Sequence, residues 1–220
     1  MAENIDTIGQ KAIDYLTLKH EARERALPKS RSAIRSCANS IRAVHRHEFQ
    51  AAAALLSQAA ILIAEIASDL HHHQDIYFAG FAQDAQKEYT EAATFTALIQ
   101  HHPLPTAEEL GVGWSPYLNG LGEAVGELRR YILDQLRRGN YDNCELYLRY
   151  MDDIYSLLTS VDFPDAITGG LRRTADATRG ILEKTRGDLT SAIGQVYLQQ
   201  SMQTLQQELQ KRPSSSQSSE

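Results

Sequence analysis

Residues 77–100 read YFAGFAQDAQKEYTEAATFTALIQ, and this stretch decides how the chain folds. At about 100° per residue, its large apolar side chains fall on one side of a helix. That side carries Tyr77, Phe81, Ala92, Phe95 and Leu98, and the solvent side is expected to carry Gln83, Gln86, Lys87, Thr90 and Thr94. The alternation of apolar and polar residues that a strand needs is absent. The stretch therefore predicts an amphipathic helix with one face in a core.

The same helical periodicity runs through almost the whole chain, so we expect an all-α bundle of six to seven helices, several of them long. Pro28 is expected to end a first helix and to separate it from a second one over residues 30–71. The last helix is expected to run from Asp162 to Gln207, with close helix–helix contacts at its glycines: Gly169, Gly170, Gly180, Gly187 and Gly194. Helices of about 40 residues span roughly 60 Å. We therefore expect their apolar faces to continue into another subunit.

The remaining predicted boundaries rest on residues that begin or end helices. Pro103 and Pro105 are expected to end the helix that contains residues 77–100. Thr106 and Glu109 have the spacing of a capping box, which predicts a short turn of helix. Further helices are predicted to open at Ser115 and to cover residues 142–160. No internal repeat is visible in the chain.

Length and charge limit the classes of function. The chain has 220 residues and a formal net charge of -6. We expect a single domain over residues 1–210, followed by a disordered tail over 211–220, because the tail is rich in serine and lacks apolar anchors. An acidic protein does not coat nucleic acid by bulk charge, so any polyanion would need a local basic patch.

The two cysteines and the N-terminus indicate a compartment. Cys37 and Cys144 lie far apart, and the polar start at Met1 lacks the pattern of a secretory signal. The longest apolar run, within residues 51–63, is interrupted by polar residues and is too short for a membrane span. We expect a cytoplasmic protein with two reduced, buried thiols and no membrane partner.

Acidic residues lie on the apolar side of the helix over residues 77–100. Glu88 falls one heptad from both Phe81 and Phe95, and Asp84 and Glu91 flank it on the same stripe. Inward-facing carboxylates lose solvation and repel one another, so each must take up a proton or find a cation. Two interpretations remain open at this point: an arginine of a neighbouring helix pairs with them, or they hold a hard divalent cation such as Mg²⁺ or Mn²⁺.

Helical phase also separates the acids on the remaining helices. Asp153 lies at the edge of an apolar face and is a candidate ligand, whereas Asp152 points outside that face. Glu48 falls within the apolar sector predicted for the second helix and is a possible additional ligand. Glu123 and Glu127 fall opposite an apolar stripe, which predicts a solvated face.

Basic residues form one narrow stripe on the second predicted helix: Arg31, Arg35, Arg42 and Arg46. Such a stripe suits phosphate contacts, and it equally suits pairing with acids on an adjacent helix. The histidines of 71–73 and 101–102 lack the spacing of a zinc motif. The sequence also lacks the glycine-rich loop of a nucleotide phosphate site.

Three segments resemble a known family. Residues 80–92, GFAQDAQKEYTEA, resemble the QEYVEA segment of Trax, the partner of translin. Residues 117–130, YLNGLGEAVGELRR, resemble the YLxGxxDLxGEL helix of translin and Trax, and residues 148–155, LRYMDDIY, are similar to the Trax stretch LRQVYDGF. The resemblance extends more weakly over about residues 29–200. It is with the translin/Trax family, in particular with its single-chain archaeal and bacterial members.

This resemblance implies a seven-helix translin fold that assembles into hollow oligomers binding single-stranded RNA or DNA inside. It also implies activity, because Trax subunits are Mg²⁺-dependent endoribonucleases, whereas translin subunits lack the acids and only bind. The family's glutamates fall on Glu88 and Glu91 and its aspartate falls on Asp153. The glutamate of its GEL segment falls on Glu127, which is therefore a further candidate metal ligand.

The resemblance and the helical phase together predict an endoribonuclease for single-stranded RNA, in which Glu88, Glu91 and Asp153 bind Mg²⁺ (or Mn²⁺) within a closed homo-oligomer. The alternative is a non-catalytic scaffold that binds single-stranded RNA or DNA.

Overall fold

A computed structural model describes the backbone of residues 2–211 and side-chain exposure for residues 4–210. The described chain is all α-helical, as predicted. Its long helices are α1 (Ala2–His45), α2 (Phe49–Asp69), α4 (Gly80–Ile99), α6 (Trp114–Arg137), α7 (Cys144–Ser160) and α9 (Leu171–Lys211). Three one-turn helices lie between them: α3 (Gln74–Tyr77), α5 (Ala107–Leu110) and α8 (Asp165–Thr168). The tail predicted over 211–220 falls outside the described residues, apart from the backbone of Lys211.

The long helices pack in a layered order. Helix α1 packs against α2 and α4, α4 also packs against α6, and α6 packs against α7 and α9. Helix α4 is therefore enclosed by α1, α2 and α6, and the solvent side predicted for it is wrong in part. Gln86, Thr90 and Thr94 are buried. A single helical wheel finds the most apolar side of a helix, but it does not show how many neighbours the helix has.

The predicted boundary at Pro28 is wrong, because α1 continues through it. A proline inside a helix removes a backbone hydrogen bond and disfavours the helix by about 3 kcal/mol. Tertiary packing offsets this cost, since a continuous stripe of small residues is buried on both sides of the proline: Ala22, Ala26, Ala33 and Cys37. The Pro28 ring itself is exposed.

We expect Pro28→Ala to stabilise the protein, because alanine restores an amide donor to a helix that already passes through this position. The gain in the free energy of unfolding should be about 1–3 kcal/mol. Urea unfolding followed by circular dichroism measures it. A lower stability for Pro28→Ala would mean that proline itself is needed at this position for the packing of α1.

The predicted second helix is broken at residues 46–48. Helix α1 ends at His45, His47 has a positive φ of 61°, and α2 begins at Phe49. Glu48 therefore sits at the start of α2 as an exposed residue, not within an apolar sector. The last predicted helix is also broken, because Gly169 and Gly170 have φ values of 61° and 85°.

Several local predictions are confirmed. Thr106 and Glu109 form the capping box: the Glu109 amide donates to Thr106 Oγ1 at 3.2 Å, and the Thr106 amide donates to Glu109 Oε2 at 2.8 Å. Cys37 and Cys144 are both free and buried. Gly139, with φ 71°, follows the end of α6.

Helix α2 is long and apolar enough to cross a membrane by length and composition alone. In the fold it packs along α1 and α4 through Ala52, Ala59, Ile63 and Ile66. Lys29 of α1 forms ion pairs with two acids of α2: its Nζ lies 2.9 Å from Glu65 Oε2 and 2.8 Å from Asp69 Oδ2. These contacts are those of a helix within a bundle.

Both long terminal helices extend beyond the packed core. Apolar side chains are exposed along the first part of α1 and the last part of α9: Ile5, Ile8, Ile13, Tyr15, Leu16, Leu18, Tyr197, Leu198, Met202, Leu205 and Leu209. The 44 residues of α1 span about 66 Å at 1.5 Å per residue. The prediction that these faces continue into another subunit stays a prediction.

Candidate metal centre

Two glycines of α6 let it approach its neighbours closely. A Cβ atom at Gly120 would lie 2.6 Å from the carbonyl oxygen of Lys87 in α4. One at Gly122 would lie 2.3 Å from Cγ2 of Thr174 in α9. A larger residue at position 120 would force a shift of the backbone, and one at position 122 would force the Thr174 side chain to move. The close contacts predicted at Gly180, Gly187 and Gly194 are not found, since nothing among the described residues lies within 4 Å of a Cβ placed there.

The close crossing of α4 and α6 brings three carboxylates together. Glu88 and Glu91 of α4 and Glu123 of α6 each offer an oxygen, and these oxygens all lie within 4.8 Å of one another. All three side chains are half-buried. We call these three residues the acidic cluster.

The acidic cluster is electrostatically unfavourable without a cation. Burial, followed by the charges of Glu88, Glu123 and Glu127, raises the pKa of Glu91 to about 8. Burial and the charge of Glu123 also raise the pKa of Glu88. Near neutral pH the Glu91 carboxyl therefore holds a proton in the metal-free protein.

One lysine partly offsets this charge. Lys87 Nζ lies 2.7 Å from Glu123 Oε1. No described basic group pairs with Glu88 or Glu91 within 4.0 Å. The sequence left open that an arginine of a neighbouring helix pairs with the inward-facing acids. In the structure Lys87 pairs with Glu123 instead.

The interior wall of the acidic cluster is formed by α1. Burial and the charges of Glu88 and Glu91 raise the pKa of the Cys37 thiol to about 12, so this cysteine stays neutral. A neutral thiol at this position does not compensate the charge of the carboxylates.

Glu127 lies one turn beyond Glu123 but has its own partners. Its Oε2 is 2.6 Å from His45 Nε2 and 3.6 Å from Arg130 Nη1. Its charge still contributes to the raised pKa of Glu91. Glu127 therefore lies beside the acidic cluster, and its carboxylate is paired with His45 of α1.

The donor set fits a hard divalent cation. Such ions prefer carboxylate oxygens and commonly retain bound water. The hydroxyl of Thr178 in α9 supplies a second observation: it is buried without a hydrogen-bond partner among the described residues. It lines the same cavity of about 420 Å³ as Glu91 and Glu123. Water around a bound cation would satisfy this hydroxyl.

The structure does not bring two of the predicted ligands, Asp153 and Glu48, to the acidic cluster. Asp153 is exposed on α7 and lines a separate cavity with His102 and Leu98, a residue two turns along α4 from Glu91. Glu48 is exposed, and its two carboxylate oxygens accept hydrogen bonds from Arg46 Nε at 2.9 Å and Arg46 Nη2 at 2.7 Å. These bonds lower the pKa of Glu48. Asp153 lies on α7, which packs mainly on α6 and α9, and its assignment to a shared ion stays a prediction.

The third member, Glu123, is the residue that sequence reasoning assigned to a solvated face. Its helical phase is opposite to the apolar stripe of α6, but α9 and α4 flank that side. The glycines at 120 and 122, next to Glu123 in the sequence, were the available signal, since they permit neighbouring helices to approach.

The four arginines of the predicted basic stripe are all exposed; Arg31, Arg35 and Arg42 lie on α1, and Arg46 directly follows its end. Arg46 is bonded to Glu48, and Arg42 donates to Asn39. Arg31 and Arg35 make no ion pair with the described residues. The stripe is therefore available to solvent along one side of α1, as phosphate binding would require.

One member of the acidic cluster, Glu123, lines a groove between α4, α6 and α9. The groove encloses about 760 Å³, and Lys87, Glu123, Trp114 and Arg173 are among the residues that line it. Arg173 and Glu123 also line the cavity that contains Glu91. The acidic cluster is thus reached from a surface that also carries positive charge.

Comparisons with known proteins place this architecture among solved structures. The sequence matches no protein-family model. It is 31% identical over 199 residues to the uncharacterized protein MJ0175 of Methanocaldococcus jannaschii, covering 88% of this chain and 86% of that protein. The fold is similar to crystallised AfC3PO, with a TM-score of 0.77 and 32% identity over 83% of this chain and 95% of that chain.

AfC3PO has also been solved in a complex with duplex RNA, with the same TM-score and coverage. A further solved structure, apo-NeC3PO, has a TM-score of 0.74 and 21% identity over 84% of this chain and 96% of that chain. That likeness concerns the fold alone.

Proposed function

Because this chain belongs to the translin/Trax family, we propose that it is a Mg²⁺-dependent endoribonuclease that cleaves single-stranded RNA within a hollow homo-oligomer. The observation that carries the proposal is the acidic cluster, in which three half-buried carboxylates converge with one lysine as their only described basic partner. Buried like charges of this kind are expected where a cation binds.

The chain's own residues have separate roles in this proposal. Glu88, Glu91 and Glu123 hold the cation, and Lys87 orients Glu123 through their 2.7 Å ion pair. Arg173 lies on the groove beside them and contacts a substrate phosphate. When bound, a divalent cation lowers the pKa of a coordinated water and offsets negative charge on the phosphate oxygens.

The exposed arginine stripe on α1 extends the proposed contact with RNA. Arg31 and Arg35 are free of ion pairs with the described residues and provide local positive charge on a chain whose net charge is -6. For binding that depends on such contacts, the logarithm of the association constant falls linearly with the logarithm of the salt concentration. The exposed apolar faces at the ends of α1 and α9 are proposed to pair with other copies of the chain.

A non-catalytic scaffold for single-stranded RNA or DNA is the second candidate. The Lys87–Glu123 ion pair favours it, because it balances one of the three carboxylates without a metal. In this case the protein would bind the strand and leave it intact.

Incubation of the protein with an end-labelled single-stranded oligoribonucleotide separates the two candidates. We expect Mg²⁺ or Mn²⁺ to give shorter products on a denaturing gel and excess EDTA to prevent them. A DNA strand of the same sequence tests sugar specificity. A strand that is retarded on a native gel yet stays intact with either metal would reject the nuclease and favour the scaffold.

A further inference from the structure

Two aromatic rings are exposed on the groove beside the acidic cluster. Phe78 precedes α4 and is 66% exposed, and Trp114 begins α6 and is 59% exposed. Both rings line the groove that also contains Lys87, Glu123 and Arg173. Neither ring belongs to the buried core, so both are available to a ligand that enters the groove.

Neighbouring tyrosines support each of these rings without covering it. Phe78 meets Tyr77 at a centroid distance of 5.3 Å and an angle of 77°. Trp114 meets Tyr117 at 5.7 Å and 83°. An edge-to-face contact covers at most one face of either ring, so each exposed ring keeps a face available for stacking.

A buried amide links the segments that carry the two rings. Gln86 of α4 is only 2% exposed. Its Nε2 donates to Tyr77 Oη at 3.0 Å, and its Oε1 accepts from the Gly113 amide at 2.8 Å. Tyr77 and Gly113 are the chain neighbours of Phe78 and Trp114. One buried, hydrogen-bonded side chain therefore ties together the two segments that carry the rings.

The charge of the groove selects the kind of occupant. Arg173 is exposed on the groove wall and makes no ion pair or hydrogen bond with the described residues. A free guanidinium in the same groove as two open aromatic rings and the Glu123 carboxylate suits a ligand that alternates planar rings with phosphates. A purely apolar protein segment would leave this guanidinium unpaired.

We propose that Trp114 and Phe78 stack on nucleobases of a single RNA strand and that Arg173 holds the intervening phosphate. The inference rests on the proposed function, because it orients the strand toward the acidic cluster. Stacking is sequence-tolerant, since every base has an aromatic face. It also selects single strands, because the bases of a duplex already have both faces covered by their neighbours.

The chain's only tryptophan gives a direct readout of this proposal. We expect a uridine oligonucleotide of about ten residues, added in EDTA to prevent cleavage, to quench the emission of Trp114. An abasic chain of the same length carries the phosphates without the bases, and it should leave the emission almost unchanged. Equal quenching by both probes would overturn the proposal.

Substitutions test the same contact by affinity. Trp114→Ala should weaken binding of the uridine oligonucleotide about tenfold, and Trp114→Phe should restore most of it. Tyr141→Ala is the control, because Tyr141 is also an exposed aromatic side chain but does not line the groove. Arg173→Gln should make the slope of log K against log salt concentration less steep, by the amount expected for the loss of about one phosphate contact. Unchanged affinity in Trp114→Ala would contradict stacking.

Burial of Trp114 between copies of the chain would have a different signature. The emission of the free protein would already be blue-shifted, and Trp114→Ala would change the mass measured by light scattering; that pair of results rejects the proposal. If base-dependent quenching occurs but Mg²⁺ gives no cleavage, the nuclease fails while the stacking contact stands.

Discussion

Glu91→Gln is expected to lower Mg²⁺-dependent cleavage of single-stranded RNA at least about 100-fold, because it removes a charged oxygen from the acidic cluster. Loss of groups that only support metal ligands already costs 10–100-fold, and a ligand itself costs more. Binding of RNA in EDTA should change little. Initial rates at saturating RNA, compared with those of the unsubstituted protein, measure the loss.

The same substitution should stabilise the metal-free protein near pH 8. Burial and neighbouring acids raise the pKa of Glu91 from 4.5 to about 8 in the folded state. Below pH 4.5 the carboxyl is protonated in both states; between pH 4.5 and about 8 only the unfolded chain loses the proton, so stability falls as pH rises through that window. Glutamine does not titrate, and this decline should be smaller in Glu91→Gln.

Thermal unfolding in EDTA between pH 5 and pH 8.5 checks this sign. Added Mg²⁺ should raise the Tm of the unsubstituted protein, because it binds only the folded state, and should have little effect on Glu91→Gln. A variant that is less stable than the unsubstituted protein at pH 8 in EDTA would show that Glu91 makes a stabilising contact in the metal-free state.

Two further variants decide which acid completes the site. Glu123→Gln should reduce cleavage strongly, whereas Asp153→Asn should have a smaller effect, because Asp153 lines a separate cavity. Asp152→Asn is the matched control; Asp152 is exposed and paired with Arg186 at 3.1 Å. A larger loss in Asp153→Asn than in Glu123→Gln would favour the ligand set that the family resemblance implies.

Gly120→Ala is expected to destabilise the protein by about 1–3 kcal/mol and to weaken Mg²⁺ binding. Its Cβ would lie 2.6 Å from the Lys87 carbonyl oxygen and 2.7 Å from Thr90 Cβ, so α6 must move away from α4. That movement separates Glu123 from Glu88 and Glu91. Urea unfolding gives the first effect, and the rise of Tm with added Mg²⁺ gives the second.

Gly126→Ala on the same helix is the control, because nothing lies within 4 Å of a Cβ placed at Gly126. Alanine is favoured over glycine in a helix by about 0.5–1 kcal/mol, so this variant should be slightly more stable. If Gly120→Ala were as stable as Gly126→Ala, the close crossing of α4 and α6 would not be needed for the fold.

The sequence predicted local features wherever a short-range cause dominates. The capping box of Thr106 and Glu109, the end of α6 near Gly139 and the all-α class follow from bonds and periodicities within a few residues. Pro28 is the instructive failure. Its local cost is real, but packing of the buried stripe of α1 outweighs that cost.

Two of the three carboxylates of the acidic cluster were already predictable from the sequence. Glu88 and Glu91 occupy adjacent turns of α4, so their proximity and mutual repulsion follow from helical spacing alone. The assignment of Asp153 came from the family resemblance together with its phase at the edge of an apolar face, and neither source contains the distance between α7 and α4.

By itself, the sequence determined that helices form, that Cys37 and Cys144 are buried and that two carboxylates face away from bulk water. Only the tertiary structure decided that Glu123 joins them, that Gln86 and Thr90 are enclosed and that Trp114 and Phe78 share a groove with Arg173. Helical phase depends on covalent geometry within one segment. The approach of α6 to α4 depends on contacts between segments, at the position where Gly120 leaves room for a carbonyl oxygen.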